Sequence, residues 1–286
     1  MLQSSVYRIF IPFLLFFLLA TYPALGQSGK WFPIVSNGSV YFSWGYNKEW
    51  YSPSNVHVRQ ESLGNEYTLQ QVKAQDRPGW NTGIFNKPLT VPQYNYRLGY
   101  FFNKKQDWAF EINFDHTKYI IRQDQLIHLQ GTLHGANFDG LIPFTYDSGF
   151  YYYLNNGANF LLFNLVKRLP LIHTANKNLK IDALAKAGIG PVIPHVENSL
   201  FGQKNDDGFQ LGGWNAGVET ALRATVLKYV YIELAQKVDY ARYSGLRVYK
   251  GKARQAFATY ELIMSLGITL PTGKNNTDFH ASKPIE

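Results

Sequence analysis

One stretch decides the fold of this chain: Glu111-Ile112-Asn113-Phe114-Asp115-His116-Thr117-Lys118-Tyr119. Its first half alternates apolar Ile112 and Phe114 with polar Asn113 and Asp115. Successive side chains of a β-strand point to opposite faces, so this segment predicts a strand with one apolar and one polar face. The strand ends in a cluster of an acid, an imidazole and an amine, which predicts a polar site at the strand end.

The same alternation recurs along most of the chain. Segments of about ten alternating residues, joined by short turns at one end and long loops at the other, are typical of a transmembrane β-barrel. A further segment, 66–77, is interpreted as an extension of its neighbour, which brings the count to eight. The predicted strands are 38–47, 94–102, 108–122, 158–168, 179–189, 209–224, 229–243 and 254–270. The fold class predicted is all-β, an eight-stranded antiparallel transmembrane β-barrel with long outer loops.

Composition agrees with that class. The chain has 20 Tyr, 20 Phe and 24 Gly but no Cys, which excludes disulfides and thiolate metal sites. Its formal charge of +8 suits an anionic partner such as the phosphates of a lipid surface. No nucleic-acid motif is found. We expect a monomer in the outer membrane of a Gram-negative cell, with outer-membrane lipid or lipopolysaccharide as its partner.

The first residues predict a signal peptide. Arg8 precedes an apolar run from Ile9 to Ala20, and Ala24-Leu25-Gly26 is a small-residue cleavage site. An uncleaved anchor helix is the alternative, but the run is short for a bilayer span. The predicted organisation is therefore a signal peptide over 1–26, a barrel over 27–270 and a disordered tail over 271–286.

The polar faces of these strands predict a charged barrel interior. An eight-stranded barrel is filled by side chains, and its buried charges need partners of opposite sign. A soluble sandwich or lipocalin-like barrel would instead bury its apolar face, leaving these charges on the exterior. The predicted interior residues carry both signs: Glu111, Asp182, Lys186, Glu219, Arg223, Glu233, Lys237 and Glu261.

Several strands end in polar clusters on the side predicted to face outward. The segment Asp115 to Lys118 offers a proton acceptor and a phosphate-binding amine, or else a rim that meets lipid headgroups. Strict alternation places His116 on the lipid side and Asp115 on the lumen side. Asn159 lies at the start of the next strand, after a predicted turn at 155–157. Lys237 and Asp239 share one face and suit a simple ion pair.

The segment Pro194-His195-Val196-Glu197 places an imidazole and a carboxylate at i and i+2, on one side of an extended chain. This pair could bind a divalent ion or act as a base with its orienting acid. An exposed loop pair is the alternative, since two ligands are a weak metal signal. The cofactor therefore stays unknown: a divalent metal is open and no organic cofactor is expected.

Taken together, several of these motifs resemble the outer-membrane lipid A oxidase family first described in rhizobia. The shared segments are Phe114 to Lys118, Asn156 to Asn159, Leu165 to Arg168, Ala187 to Glu197, and Glu233 with Lys237 and Tyr240. Three features depart from the family. Ala235-Gln236 interrupts a compact Glu-Tyr-Lys spacing, the loop over 123–156 is long, and a tail follows the final strand.

The resemblance implies a small barrel whose enzymic members use oxygen to oxidise the proximal glucosamine of lipid A. It implies catalytic roles for His116, His195, Glu197 and Lys237, and substrate contacts for Asp115, Lys118 and Asn159. The sequence leaves both an enzyme and a binding protein open. The first hypothesis is a barrel that binds or modifies lipid A, and the alternative is a non-enzymic barrel for structure, adhesion or ligand binding. A lipid A deacylase is the third hypothesis. Such an enzyme needs a serine beside a histidine, and the residue that follows His116 is Thr117, which counts against it.

Overall fold

The structure, a computed structural model, describes residues 38–79, 93–103, 105–154, 157–273, 276, 278 and 279, without the side chains of 206 and 207. The predicted signal peptide and residues 155–156 of the predicted turn lie outside these residues. In chain order the first strands are β1 (Ser39–Tyr51), β2 (Ser54–Gln60), β3 (Asn65–Val72), β4 (Ala74–Gln75), β5 (Tyr94–Phe101), β6 (Trp108–His116), β7 (Tyr119–Ile121), β8 (Gln125–Leu133) and β9 (Ala136–Phe144). The next are β10 (Tyr151–Leu154), β11 (Phe160–His173), β12 (Leu179–Pro191), β13 (His195–Leu200), β14 (Gln203–Phe209), β15 (Gly213–Val226), β16 (Val230–Val248) and β17 (Gly251–Pro271).

Eight of these strands form a closed antiparallel barrel in the order β1-β5-β6-β11-β12-β15-β16-β17. The last strand returns to the first, with pairs running from Ser39↔Pro271 to Tyr51↔Thr259. The predicted eight-stranded antiparallel barrel is therefore confirmed. Tyr94–Phe101 is a barrel strand in its own right, whereas the segment 66–77 that was grouped with it lies outside the ring. The described residues contain one short helical turn, Glu61–Leu63, and no helix among them is long and apolar enough to cross a membrane.

The barrel is apolar outside and charged inside. Aromatic pairs mark the outward edge of the apolar surface, with Trp50 near Tyr260 and Trp214 near Tyr240. This arrangement is the one by which outer-membrane barrels cross a bilayer, and it matches the predicted location in a Gram-negative outer membrane. The exposed apolar side chains include Phe110, Ile112, Phe163, Leu165, Ile189, Val218, Leu222, Ile232, Leu234, Leu262, Met264 and Leu266.

The outward connections form a folded β-structure, which we call the cap: β2, β3, β4, β7, β8, β9, β10, β13 and β14. The outer end of β17 pairs with β2, and the sheet continues through β3 and β8 to β9. A second sheet has the order β14-β13-β10-β7-β4. Apolar side chains of both sheets, such as Val58, Leu69 and Tyr152, share one buried core with Phe257 of β17. The cap is thus built like a small sandwich on top of the barrel.

The loop predicted over 123–156 is wrong in structure, though right in position, because these residues contain the hairpin β8–β9 and strand β10. The polar segment that follows Pro194 likewise contains strands, β13 and β14. The hairpin turns at His134 and Gly135, both with positive φ, which is the two-residue turn that suits a twisted strand pair. Its alternation is short and is broken by Gly131 and Gly140, so the sequence pattern alone resembled a loop.

The described residues of the predicted disordered tail lie against the inward end of the barrel. Asp278 forms an ion pair with Arg168, in which Oδ2 lies 2.7 Å from Nη1. Phe279 is buried and stacks on Tyr229. At these positions the structure differs from the predicted disorder, because charge pairing and an aromatic contact hold the segment.

Candidate functional site

The predicted charged interior is present, and its middle layer is electrically balanced. Lys186 Nζ lies 2.9 Å from Glu219 and 2.8 Å from Glu233. Arg223 Nη2 lies 2.6 Å from Glu233, and Arg97 Nη2 lies 2.8 Å from Glu219. Each ion in this layer has a counter-ion, as burial of charge requires.

The next layer outward is centred on Lys237. Its ammonium contacts Asp115, lies 2.6 Å from Asp239 Oδ2, and lies 3.5 Å from Glu261 Oε1. All four side chains are fully buried. The structure thus joins two of the predicted site residues, Asp115 and Lys237, inside the lumen. The ion pair expected between Lys237 and Asp239 is also formed.

His116 and Asn159 form a second group, outside the lumen. His116 Nδ1 donates to Asn159 Oδ1 at 2.8 Å, and its ring stacks on Tyr94 with centroids 4.7 Å apart. Asn159 Nδ2 in turn donates to the carbonyl of Ile193 at 2.9 Å. Asn159 takes a positive φ of 35°, a conformation that asparagine tolerates better than most residues. Because the amide oxygen accepts from Nδ1, the neutral His116 ring carries its lone pair on Nε2.

The remaining predicted residues lie in or beside the cap. His195 begins β13, where its backbone N–H donates to Gly157 O at 2.8 Å and its ring contacts Phe209 edge-on. Glu197 lies two residues on along the same strand, opposite Tyr153. The carbonyl of Lys118 accepts from the hydroxyl of Tyr51 at 3.0 Å. Asn159 bonds the ring of His116, and Gly157, two residues earlier, bonds the backbone of His195. His116 and His195 therefore lie in the same region of the protein.

The predicted residues therefore divide between two sides of the barrel wall. Asp115 and Lys237 lie inside the lumen, whereas His116 and Asn159 lie on its outer side. The alternation of β6 directs the side chains of Asp115 and His116 to opposite faces of the strand. The catalytic and substrate-binding roles of these residues stay predictions. Among the described residues, one group of three metal-ligating side chains lies within 4.8 Å, namely Asp115, Asp239 and Glu261, and neither His195 nor Glu197 belongs to it.

A basic surface was missed by the sequence interpretation. We call it the basic face: Arg242, Arg247, Lys252 and Arg254 on the outward extension of β16 and β17, with Arg59 on β2. Arg247, Lys252 and Arg59 are cross-strand partners on three adjacent strands. Their side chains are exposed on the outer surface. Such neighbours lie about 5 Å apart, and like charges placed opposite one another are destabilising.

A simple signal for this face was available. Residues 240–258 contain five basic residues, including Lys250 at the hairpin tip, and no Asp or Glu. Among the described residues, only Arg59 of the basic face forms an ion pair with an acid, lying 2.9 Å from Glu61 and 3.9 Å from Glu66. Burial lowers the pKa of nearby His57, and the positive charge of Arg254 lowers that pKa further. The basic face therefore carries an excess of positive charge, because Glu61 and Glu66 offset only the part of it at Arg59.

Comparison with known proteins gives a general likeness and no assignment. No protein-family model and no curated protein matches the chain. Solved structures with a similar arrangement include Ail of Yersinia pestis, in complex with the heparin analogue sucrose octasulfate, at 14% identity and TM-score 0.32, covering 82% of this chain and 99% of that one. OprG from Pseudomonas aeruginosa is 10% identical with TM-score 0.35, covering 82% of this chain and 97% of that one. At such scores the likeness carries no weight, and the barrel assignment stands on strand pairing and surface polarity.

Proposed function

We propose that this barrel is a non-enzymic binding protein of the outer membrane whose basic face binds the phosphates of lipopolysaccharide. The observation that carries the proposal is the cross-strand row of Arg247, Lys252 and Arg59 on the outer surface. A bound polyanion would relieve the repulsion within this row. Guanidinium groups also suit phosphate because they donate in a planar fork.

The position of the basic face supports a ligand in the headgroup and sugar region. Arg242 lies two residues beyond Tyr240, which belongs to the outward aromatic edge, and Arg254 lies six residues beyond Tyr260. At about 3.4 Å per residue, the face extends to roughly 20 Å or more above that edge. Phosphorylated sugars on the membrane surface lie within that range, whereas the acyl chains do not.

The test is binding of lipopolysaccharide to the full chain in neutral detergent, compared with a triple variant Arg247→Gln, Lys252→Gln and Arg254→Gln. Each basic residue near an anionic surface contributes about 1 kcal/mol, so we expect a loss on the order of a hundredfold. The matched control is Lys73→Gln, Arg77→Gln and Arg122→Gln, which removes three exposed charges near β4 and β7, at the other end of the second sheet. Equal binding by the triple variant and the wild type would exclude the proposal.

Two further ligands separate the possible sources of phosphate. Dephosphorylated lipopolysaccharide should bind weakly if phosphates are recognised. Vesicles of phosphatidylglycerol carry a simple phosphate headgroup without the sugars. Stronger binding to vesicles than to lipopolysaccharide would indicate a general anionic-lipid site instead.

Modification of lipid A is the second candidate. The hydrogen bond between His116 and Asn159 favours it, because the Nε2 lone pair of a neutral imidazole is what a general base needs. The resemblance noted above suggests oxygen-dependent oxidation of the proximal glucosamine. Mass spectrometry of lipid A from membranes with the wild type, His116→Ala and His195→Ala would test it. A gain of one oxygen that both variants abolish would support oxidation, and unchanged lipid A with folded protein would exclude it.

A further inference from the structure

We infer that the outward layer of the lumen holds one hard divalent cation, of the Ca²⁺ or Mg²⁺ class, bound by Asp115, Asp239 and Glu261. The inference is independent of lipopolysaccharide binding, because these residues lie inside the barrel and the basic face lies outside it.

The charge of this layer is the first reason. Four carboxylates, those of Glu49, Asp115, Asp239 and Glu261, are buried in this layer, and the Lys237 ammonium forms ion pairs with the last three. Glu49 and Glu261 are direct cross-strand partners, a position in which like charges repel. With all four acids ionised, the layer carries an excess of three negative charges.

The neighbouring guanidinium does not correct this excess. Arg97 Nη2 lies 3.9 Å from Asp115 but 2.8 Å from Glu219, so it belongs to the middle layer. That layer pairs three acids with three bases, namely Glu111, Glu219 and Glu233 with Arg97, Lys186 and Arg223. The same barrel therefore contains a balanced layer and an unbalanced one, which makes the imbalance a local feature of the outward layer.

The geometry of the oxygens is the second reason. Asp115, Asp239 and Glu261 each offer an oxygen, and the three atoms lie within 4.8 Å of one another. Calcium–oxygen distances are about 2.3–2.6 Å, so two ligands of one ion lie up to about 5 Å apart. Lys237 contacts Asp239 Oδ2 and Glu261 Oε1. The other oxygens, Oδ1 and Oε2, are buried and have no hydrogen-bond partner.

Thr259 gives an independent indication of a ligand. Its side chain is 1% exposed, and its buried hydroxyl has no hydrogen-bond partner. Thr259 is the cross-strand partner of Asp239 and lies two residues from Glu261 on the same face of β17. A buried hydroxyl beside two carboxylates lowers its energy by coordinating a cation through its lone pairs.

The donor set selects the class of ion. Every ligand atom in the layer is a carboxylate or hydroxyl oxygen, and hard cations prefer such donors over nitrogen and sulfur. The alternative compensation is protonation of the acids, since adjacent carboxylates can share a proton. A cation and a proton differ in a measurable way, because only the cation can be removed by a chelator.

The experiment uses the full chain folded in detergent micelles, stripped with EDTA and dialysed against Ca²⁺ or Mg²⁺. Elemental analysis after removal of free ion should give one divalent ion per chain. The melting temperature should rise on adding the ion, because binding to the folded state alone stabilises it. Asp239→Asn and Glu261→Gln should lose both the stoichiometric ion and the rise in melting temperature.

The melting temperatures of the ion-free variants show whether a variant loses the ion because it is misfolded. Because the stripped layer has more carboxylates than cations, removing one of these charges should leave stripped Asp239→Asn melting at or above the temperature of the stripped wild type. The matched control is Glu219→Gln in the middle layer, which should melt lower but keep the ion. A wild type that retains no ion would assign the excess charge to protons and overturn the inference. Retention of the ion by both outward-layer variants would overturn it equally.

Discussion

Arg223 and Glu233 face each other across β15 and β16 and form a buried ion pair, with Nε 2.7 Å and Nη2 2.6 Å from the same carboxylate oxygen. The guanidinium also lies over the ring of Tyr231 at 4.0 Å. Glu233 therefore links the Arg223 and Lys186 cations of the middle layer. The buried charges of the lumen therefore stabilise the barrel only when each one keeps its counter-ions.

Removal of one charged side chain from the middle layer should destabilise the folded barrel. Glu233→Gln leaves Arg223 and Lys186 short of a counter-ion, and we expect a decrease of about 3–5 kcal/mol in the free energy of unfolding. Urea unfolding in detergent micelles measures it. Leu234→Ala is the matched control, since that adjacent side chain faces lipid and is largely exposed. A smaller effect for Glu233→Gln than for Leu234→Ala would argue against the balanced layer.

The apolar exterior should respond to charge according to depth. Val218→Arg places a cation on the lipid-facing surface of β15, and we expect a cost of about 2–4 kcal/mol if that position lies near the midplane. Leu126→Arg is the comparison, because Leu126 is exposed on the cap and meets water. Folding into lipid vesicles, followed by denaturant titration, gives both values. Equal costs at the two positions would contradict the assigned membrane span.

The cap should unfold separately from the barrel. Phe257 stacks on Tyr119 of cap strand β7 with centroids 4.4 Å apart and on Tyr243 of β16 at 5.3 Å, so it joins the outward ends of β16 and β17 to the cap. Phe257→Ala should cost about 3–5 kcal/mol of local stability. We expect new protease cleavage between residues 117 and 159 while the barrel keeps its strand signal in circular dichroism. Simultaneous loss of the strand signal would mean that cap and barrel fold as one unit.

Anion binding should depend on pH through His57. Its pKa is lowered by burial and by the charge of Arg254, so the folded protein disfavours the protonated ring. A bound anion opposes Arg254 and raises this pKa toward the ordinary value of about 6.5. Affinity for lipopolysaccharide should therefore increase as the pH falls through about 6.5, and His57 should take up a proton on binding. Histidine NMR titration with and without ligand measures the shift, and His57→Gln should remove this part of the pH dependence.

The contribution of His57 to folding stability has the opposite pH dependence, because it decreases as the pH falls. Because the folded pKa of His57 lies below its unfolded value, the unfolded chain binds more protons as the pH falls. The contribution of His57 to stability is thus present above the unfolded pKa and decreases below it. Melting curves between pH 5 and 8, roughly the range in which histidine titrates, should show the difference between wild type and His57→Gln.

The sequence by itself determined the barrel and its polarity. Alternation over segments such as 111–115 and 230–239 gives strands with one apolar and one charged face, since side-chain direction follows from backbone geometry alone. Closure of eight such strands then places Glu111, Lys186 and Glu233 inside without reference to any other residue. The positions of the inward turns and outward connections were also readable, because turn length separates the two ends.

Only the tertiary structure decided which polar residues meet. Asp115 and His116 are neighbours in sequence, yet one contacts Lys237 in the lumen and the other bonds Asn159 outside it. The cap, too, depends on pairs far apart in the chain, such as Lys252 with Arg59. Strand register and the packing of one sheet on another arise from long-range contacts, and local periodicity carries no information about those partners.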